Sequence, residues 1–158
     1  MPIPDITPGT EIPSFVRQQN FHAWNRFAAV NDEFVPIHMD DAAGQAAGFP
    51  GAIGMGNLAC SYFHNVLRDW LGEQGRICRV SVQYRQPNNQ GSILTTRGKI
   101  VSVSQKPAAH EVQIELWMED DAGRVLMNGE ALLEVTGAEV TGAEVTGVEV
   151  TGVEVTSP

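Results

Sequence analysis

The segment Asn31-Asp-Glu-Phe-Val-Pro-Ile-His-Met-Asp40 sets Asp32 and Glu33 six and five residues ahead of His38. Pro36 stiffens the turn between them: it holds its own φ and biases Val35 toward extended conformations, so His38 leaves the loop in a restricted direction. A carboxylate accepting from one imidazole nitrogen sets the tautomer and leaves the other nitrogen free to hold water. A carboxylate and an imidazole on one water are the minimal equipment for adding water to an activated double bond, or for removing it. Acid/base groups concentrate nowhere else in the chain in this way. The plainer reading of the same residues is a solvated acidic loop beside a structural histidine.

The residues after the loop favour chemistry. Gly51-Ala-Ile-Gly-Met-Gly56 is a glycine-rich approach to the longest helical pattern, about Gly56 to Leu71. A helix N-terminus offers free N–H groups and a partial positive charge, and glycine lets a ligand carbonyl approach closely. Gly56 is therefore a candidate oxyanion donor for a thioester carbonyl. Asn57, one position on, is a candidate for lining an acyl pocket.

These groups need elements to hold them. Phe21, Trp24, Phe27 and Ala28 follow helical spacing between Asn20 and Val30, with Asn20 as N-cap. Asp40 caps a short helix over residues 41–47, which Gly48 and Pro50 close. In the long helix Ala59, Tyr62, Phe63, Val66, Leu67 and Trp70 recur at i, i+3, i+4, i+7, and Leu58 and Leu71 widen the stripe. Gly72 ends it with a left-handed cap. After Gly75 the period changes. Residues 77–85, 93–104, 110–119 and 124–135 read as strands, with Pro87-Asn-Asn-Gln-Gly91, Gln105-Lys-Pro107 and Asp120-Asp-Ala-Gly123 as turns. The first 14 residues hold four of the nine prolines and read as an extended arm. Helices first and at least four antiparallel strands after them predict an α+β domain, a sheet wrapped around one long helix.

The totals exclude several classes. The chain's 158 residues fit one domain, and no apolar run approaches a membrane span. The N-terminus lacks the basic and apolar regions of a secretion signal, so a cytoplasmic protein is expected. A formal charge of -9 argues against nucleic acid as partner. Cys60 and Cys78 lack metal spacing and read as reduced core thiols. His22, His64 and His110 have no partner at metal spacing and read as structural or surface residues. Residues 136–155 are four copies of Thr-Gly-(Ala/Val)-Glu-Val. An odd repeat cannot keep one face of a strand buried, so residues 1–135 read as the domain and 136–158 as a tail.

The stretch from Phe27 through Pro36-Ile-His-Met-Asp40 to Gly51-Ala-Ile-Gly-Met-Gly56 resembles the MaoC-like hydratase family, the (R)-specific enoyl-CoA hydratases and acyl dehydratases of the hot-dog fold. The family pattern runs Gly-Asp-x-Asn-Pro-Ile-His-x-Asp, then Gly-x-Pro-x-x-Ile-x-His-Gly. Tyr84-Arg-Gln-Pro-Asn-Asn-Gln-Gly91 is similar to the family's Phe-x-x-Pro-x-x-x-Gly-Asp. The likeness covers about residues 20–135. It implies hydration of an enoyl thioester by an acid paired with His38, the Gly56 N–H at the enolate oxygen, no metal or bound cofactor, and coenzyme A or acyl carrier protein as the substrate's handle. Paired hot-dog units, a homodimer or larger assembly, are implied as well. The chain departs from the pattern at four places. The family's aspartate falls on Glu33 and its preceding glycine on Asp32, so the acid is Glu33 in register or Asp32 shifted by one. Val35 stands for the asparagine and Met55 for the histidine before the helix glycine; Met55 is counted with Asn57 and Arg85 as a candidate substrate contact, Arg85 for a coenzyme A phosphate. These departures keep two alternatives open: a non-catalytic acyl-CoA-binding subunit and, with less support, a thioesterase.

Overall fold

The computed structural model describes residues 6–136. In chain order the elements are β1 (Glu11–Gln18), α1 (Phe21–Asn31), α2 (Pro36–Met39), α3 (Asp41–Ala46), α4 (Gly56–Leu71), β2 (Gly75–Tyr84), β3 (Ile93–Gln105), β4 (His110–Glu119) and β5 (Val125–Val135). The strands form one antiparallel sheet in the order β1-β3-β4-β5-β2. The alternation of Val112, Ile114, Leu116 and Met118 puts four buried side chains of β4 on one face. The apolar stripe of α4, from Leu58 to Leu71, packs into that face, and α4 touches β1, β2 and β3. Every ladder carries a register shift, at Ile12/Phe15, Ile77/Arg79, Ile100/Ser102 and Met118/Glu119. Bulges of this kind bend and twist a sheet, which lets five strands curve around one helix.

Two elements differ from expectation. The proline-rich arm contains a strand, β1, which pairs with β3 as the sheet's far edge. Proline is tolerated there because an edge strand has one side without ladder bonds. Residues 36–39, expected within a loop, form a single helical turn, with Pro36 at its first position where a missing N–H costs nothing. Gly72 does take a positive φ (57°), but its ψ of -133° lies outside the left-handed helical region. Cys78 is exposed on β2 rather than in the core, because it is the unpaired residue of the bulge between Ile77 and Arg79; Cys60 is half-buried. Of the C-terminal repeat only Thr136 is described: its N–H and hydroxyl both donate to the Gln74 carbonyl, at 2.7 and 3.1 Å. The expected tail otherwise lies outside the described residues.

A buried polar chain seats α1 on α4. The Trp24 indole donates to Gln19 Oε1 (3.1 Å), and Gln19 Nε2 donates to the Tyr62 hydroxyl (3.3 Å). Gln19 is 1% exposed, so these bonds replace water it no longer meets.

The β4–β5 turn hangs on Asp120, whose side chain is 2% exposed. Its Oδ1 accepts from the N–H groups of Ala122 (3.0 Å) and Arg124 (2.9 Å), and Oδ2 accepts from the Arg124 guanidinium (2.8 Å). Burial pushes this carboxyl up, but the backbone and guanidinium bonds outweigh it and hold it below its ordinary 3.8. A depressed carboxyl stabilises the fold above its unfolded value and loses that contribution as pH falls through the folded one. Asp120→Ala is expected to cost about 2–4 kcal/mol at pH 7, read by urea unfolding. That difference should shrink below about pH 4 as the wild-type carboxyl protonates. A variant as stable as wild type at neutral pH would refute this role.

Candidate active site

The acidic loop begins as a helix cap. Asp32 is the one non-glycine residue with positive φ among those described (53°, ψ 39°). Its N–H and that of Glu33 both bond the Ala28 carbonyl, the latter at 3.1 Å, closing α1 with a left-handed residue in the cap. Left-handed backbone favours glycine and tolerates Asp, which explains why a glycine suits this place. Asp32 thus caps through its main chain, and its side chain is exposed. Glu33, the next residue, is half-buried and turns its carboxylate over the first turn of α4, where Asn57 Nδ2 lies 3.4 and 3.5 Å from its two oxygens. The positive end of α4 favours a carboxylate there.

His38 is held from the other side. Its Nδ1 lies 2.8 Å from the Ile53 carbonyl oxygen, which can only accept, so Nδ1 carries the proton and Nε2 of the neutral ring has a free lone pair. The Ile53 N–H returns a bond to the Ile37 carbonyl (3.0 Å), and Ile53 bridges to Asn89. Asp41 adds a further tie by accepting from the Ala52 N–H (2.9 Å). The short helices α2 and α3, the glycine-rich approach and the loop after β2 are therefore stitched into one frame around His38.

His38 opens on a cavity of about 260 Å³. Gly54, Gly56, Tyr84 and Asn88 line it together with the apolar Ala59, Met118, Leu126 and Met127. The helix enters without a side-chain cap, leaving its first N–H groups for a ligand. The Tyr84 ring packs on Gly56 closely enough that a Cβ there would stand 2.9 Å from Cε1. The Tyr84 hydroxyl is raised above its usual 10.0, first by burial and then by the neighbouring Cys60 and the charge of Glu33. Tyr84 therefore lies within electrostatic reach of the carboxylate while lining the cavity.

The expected residues do not all meet. His38 and Gly56 share the cavity; Glu33, Asp32 and Asn57 line an adjoining open depression with Phe34 and Val35. No hydrogen bond or ion pair links either acid to His38 among the described residues; the carboxylate–imidazole bond expected to set the tautomer is replaced by the Ile53 carbonyl. Asn57 stands outside the His38 cavity because one step along α4 turns it about 100° from Gly56. Met55 is fully buried in the core cluster, its side chain directed inward ahead of the helix, and does not line the cavity. Arg85 stands at the cavity's edge, where it donates to Asn128 Oδ1 (2.8 Å) and to Gln83. Tyr84 and Asn88 line the cavity as well, beyond the residues expected there; the hydroxyl where the family pattern has Phe is the one signal the sequence offers for them. Among the described residues no three His, Cys, Asp or Glu side chains converge to hold a metal.

Residues 5–120 match the model of the MaoC like domain. The chain belongs to the MaoC-like family. No curated protein matches it. Among solved structures, the (R)-hydratase of A. caviae involved in PHA biosynthesis is similar, with 20% identity, a TM-score of 0.74, and coverage of 82% of this chain and 96% of that one. R-hydratase PhaJ1 from Pseudomonas aeruginosa shows 19% identity and a TM-score of 0.74 over 92% and 93% of the two chains. The ChsH1-ChsH2 complex from Mycobacterium tuberculosis shows 14% identity and a TM-score of 0.73 over 82% and 98%. At such identities the likeness establishes the fold: this MaoC-like domain is a hot dog, its curved sheet around α4. No helix among the described residues is long and apolar enough to cross a membrane.

Proposed function

We propose that this MaoC-like domain hydrates a trans-2-enoyl thioester of coenzyme A or acyl carrier protein, or runs the same path in reverse. The observation that carries the reading is His38: a half-buried imidazole tied to Ile53 through Nδ1, with Nε2 left over, lining a cavity together with Gly56 at the leading end of α4. In this scheme the substrate seats its carbonyl oxygen at the Gly56 N–H and its hydrocarbon against Ala59, Met118 and Leu126. Water is held between Nε2 and the Glu33 carboxylate. Glu33 takes one proton as the water oxygen bonds the β-carbon, and the π electrons move to the thioester oxygen. The enolate collapses as a proton returns to the α-carbon. Water's two hydrogens and its oxygen are thereby distributed over Cα and Cβ with no oxidant or metal required.

The half-buried carboxylate of Glu33, over the first turn of α4 beside Asn57, supports Glu33 over the exposed Asp32 as the acid. Arg85 at the rim is assigned in this scheme to a phosphate of coenzyme A. The cavity's 260 Å³ equals about nine water volumes, which suits a short acyl group. Outward groups of the ten-residue edge strand β2 leave a sheet edge on which a second copy can add, in keeping with a homodimer or larger assembly acting in the cytoplasm. A second reading, an acyl-CoA-binding subunit without turnover, draws on the separate placement of Glu33 and His38.

Crotonyl-CoA tests these readings. Hydration is expected as loss of the conjugated enoyl absorbance without release of free thiol. Thiol release would mean a thioesterase, and saturable binding without either change would mean the accessory subunit.

A further inference from the structure

Asn88 is a buried polar side chain with unmet hydrogen bonds at the edge of the cavity. The residue is 5% exposed, and its Oδ1 has no hydrogen-bond partner. Its main chain cannot shift easily: the Asn88 carbonyl accepts from the Gly54 N–H at 2.8 Å, and the next residue bridges to Ile53. The side chain is packed on Gly54, where a Cβ would overlap the amide oxygen. A Cα–H is a weak donor and suits an oxygen, whereas an NH₂ group there would oppose it. This contact orients the carboxamide, with Oδ1 nearest the Cβ position of Gly54 and Nδ2 farther off, 2.8 Å from it. Nδ2 makes no hydrogen bond among the described residues, and Asn88 lines the cavity together with His38 and Gly56.

We propose that the Asn88 carboxamide is a second donor to the carbonyl oxygen of the bound thioester, acting beside the Gly56 N–H. The proposal rests on the thioester reading of the site. Nδ2 can only donate, so it does not serve as a base for water; it selects an acceptor. The apolar lining takes hydrocarbon, and Asn88 is packed on Gly54, two residues before Gly56 at the leading end of α4. The acceptor an acyl thioester brings to that end is its carbonyl. Two donors on one oxygen, one from a helix end and one from a packed side chain, meet the requirement that the charge-stabilising groups be in place before charge develops. Nδ2 has no other acceptor among the described residues, so the carbonyl of an acyl ligand can supply one.

The test compares butyryl-CoA with S-butyl-CoA, the thioether that lacks only the carbonyl oxygen, by titration calorimetry on the full chain. Wild type is expected to bind the thioester about tenfold more tightly. In Asn88→Leu and in the shape-preserving Asn88→Asp the preference should fall to about twofold or less, with thioether affinity unchanged as a check on folding. If the enzyme hydrates crotonyl-CoA, kcat should also fall by about 10²-fold in Asn88→Leu. A preference that survives both substitutions overturns the proposal, as does a wild type that binds thioether and thioester equally or binds neither. Because the preference is read without turnover, an inactive wild type that retains it refutes only hydration, and an active wild type whose preference ignores Asn88 refutes only this assignment.

Discussion

His38→Ala is expected to lower kcat/KM for crotonyl-CoA hydration by about 10²–10⁴-fold, the range for loss of a positioned acid/base group. The reason is geometric. Ile53 holds the ring by Nδ1, so its role in the loop frame and its role toward the cavity use different nitrogens. Removing the ring deletes the Nε2 lone pair and also leaves the Ile53 carbonyl without its side-chain donor. The second loss is a stability effect of about 1 kcal/mol, small beside the first. His38→Gln separates them: an amide reaching Ile53 restores much of the thermal midpoint and none of the Nε2 lone pair that holds water. Steady-state kinetics alongside thermal unfolding read both. Activity within twofold of wild type in a folded His38→Ala protein would remove His38 from the reaction, and the candidate active site with it.

Much of this architecture was legible in the residues, and the failures have physical causes. Helix α4 was visible to the residue because a 16-residue stripe with glycine at both ends leaves little freedom. Asn20 and Asp40 were legible as caps, and both side chains accept the expected backbone bonds, at 2.9 Å from Ala23 and Ala43. β1 was hidden because its bulge between Ile12 and Phe15 breaks the period of two that identifies a strand, and Pro13 sits inside the break. α2 is a single turn, too short to show any period. In the candidate site, His38 and Gly56 were readable because a rigid loop and a helix start are local features. Tyr84 and Asn88 were not. They reach the cavity through the end of an edge strand and a loop, placed against Gly56 and Gly54 by contacts 28 and 34 residues apart in sequence that no local pattern announces. The placement of Asn57 turned on the 100° step of a helix, which sequence spacing states but which adjacency to Gly56 obscured.

The second large effect falls on the acid. Glu33→Gln is expected to reduce kcat/KM for crotonyl-CoA by about 10²-fold or more, whereas Asp32→Asn should stay within about twofold. Glutamine preserves the length of the side chain and an oxygen for Asn57 to donate to, so the substitution removes basicity and little else. Asparagine at 32 retains a residue that tolerates left-handed backbone, so the cap on α1 persists and Glu33 keeps its orientation. Asp32→Gly extends the comparison: it favours the same conformation and should leave both rate and fold intact. Asp32→Val does neither, since a β-branched residue is strained at a φ of 53°, and it should slow the reaction indirectly by moving Glu33. Kinetics on the four variants therefore separate a chemical acid from a structural cap. Full activity in Glu33→Gln together with a large loss in Asp32→Asn would make Asp32 the acid in place of Glu33.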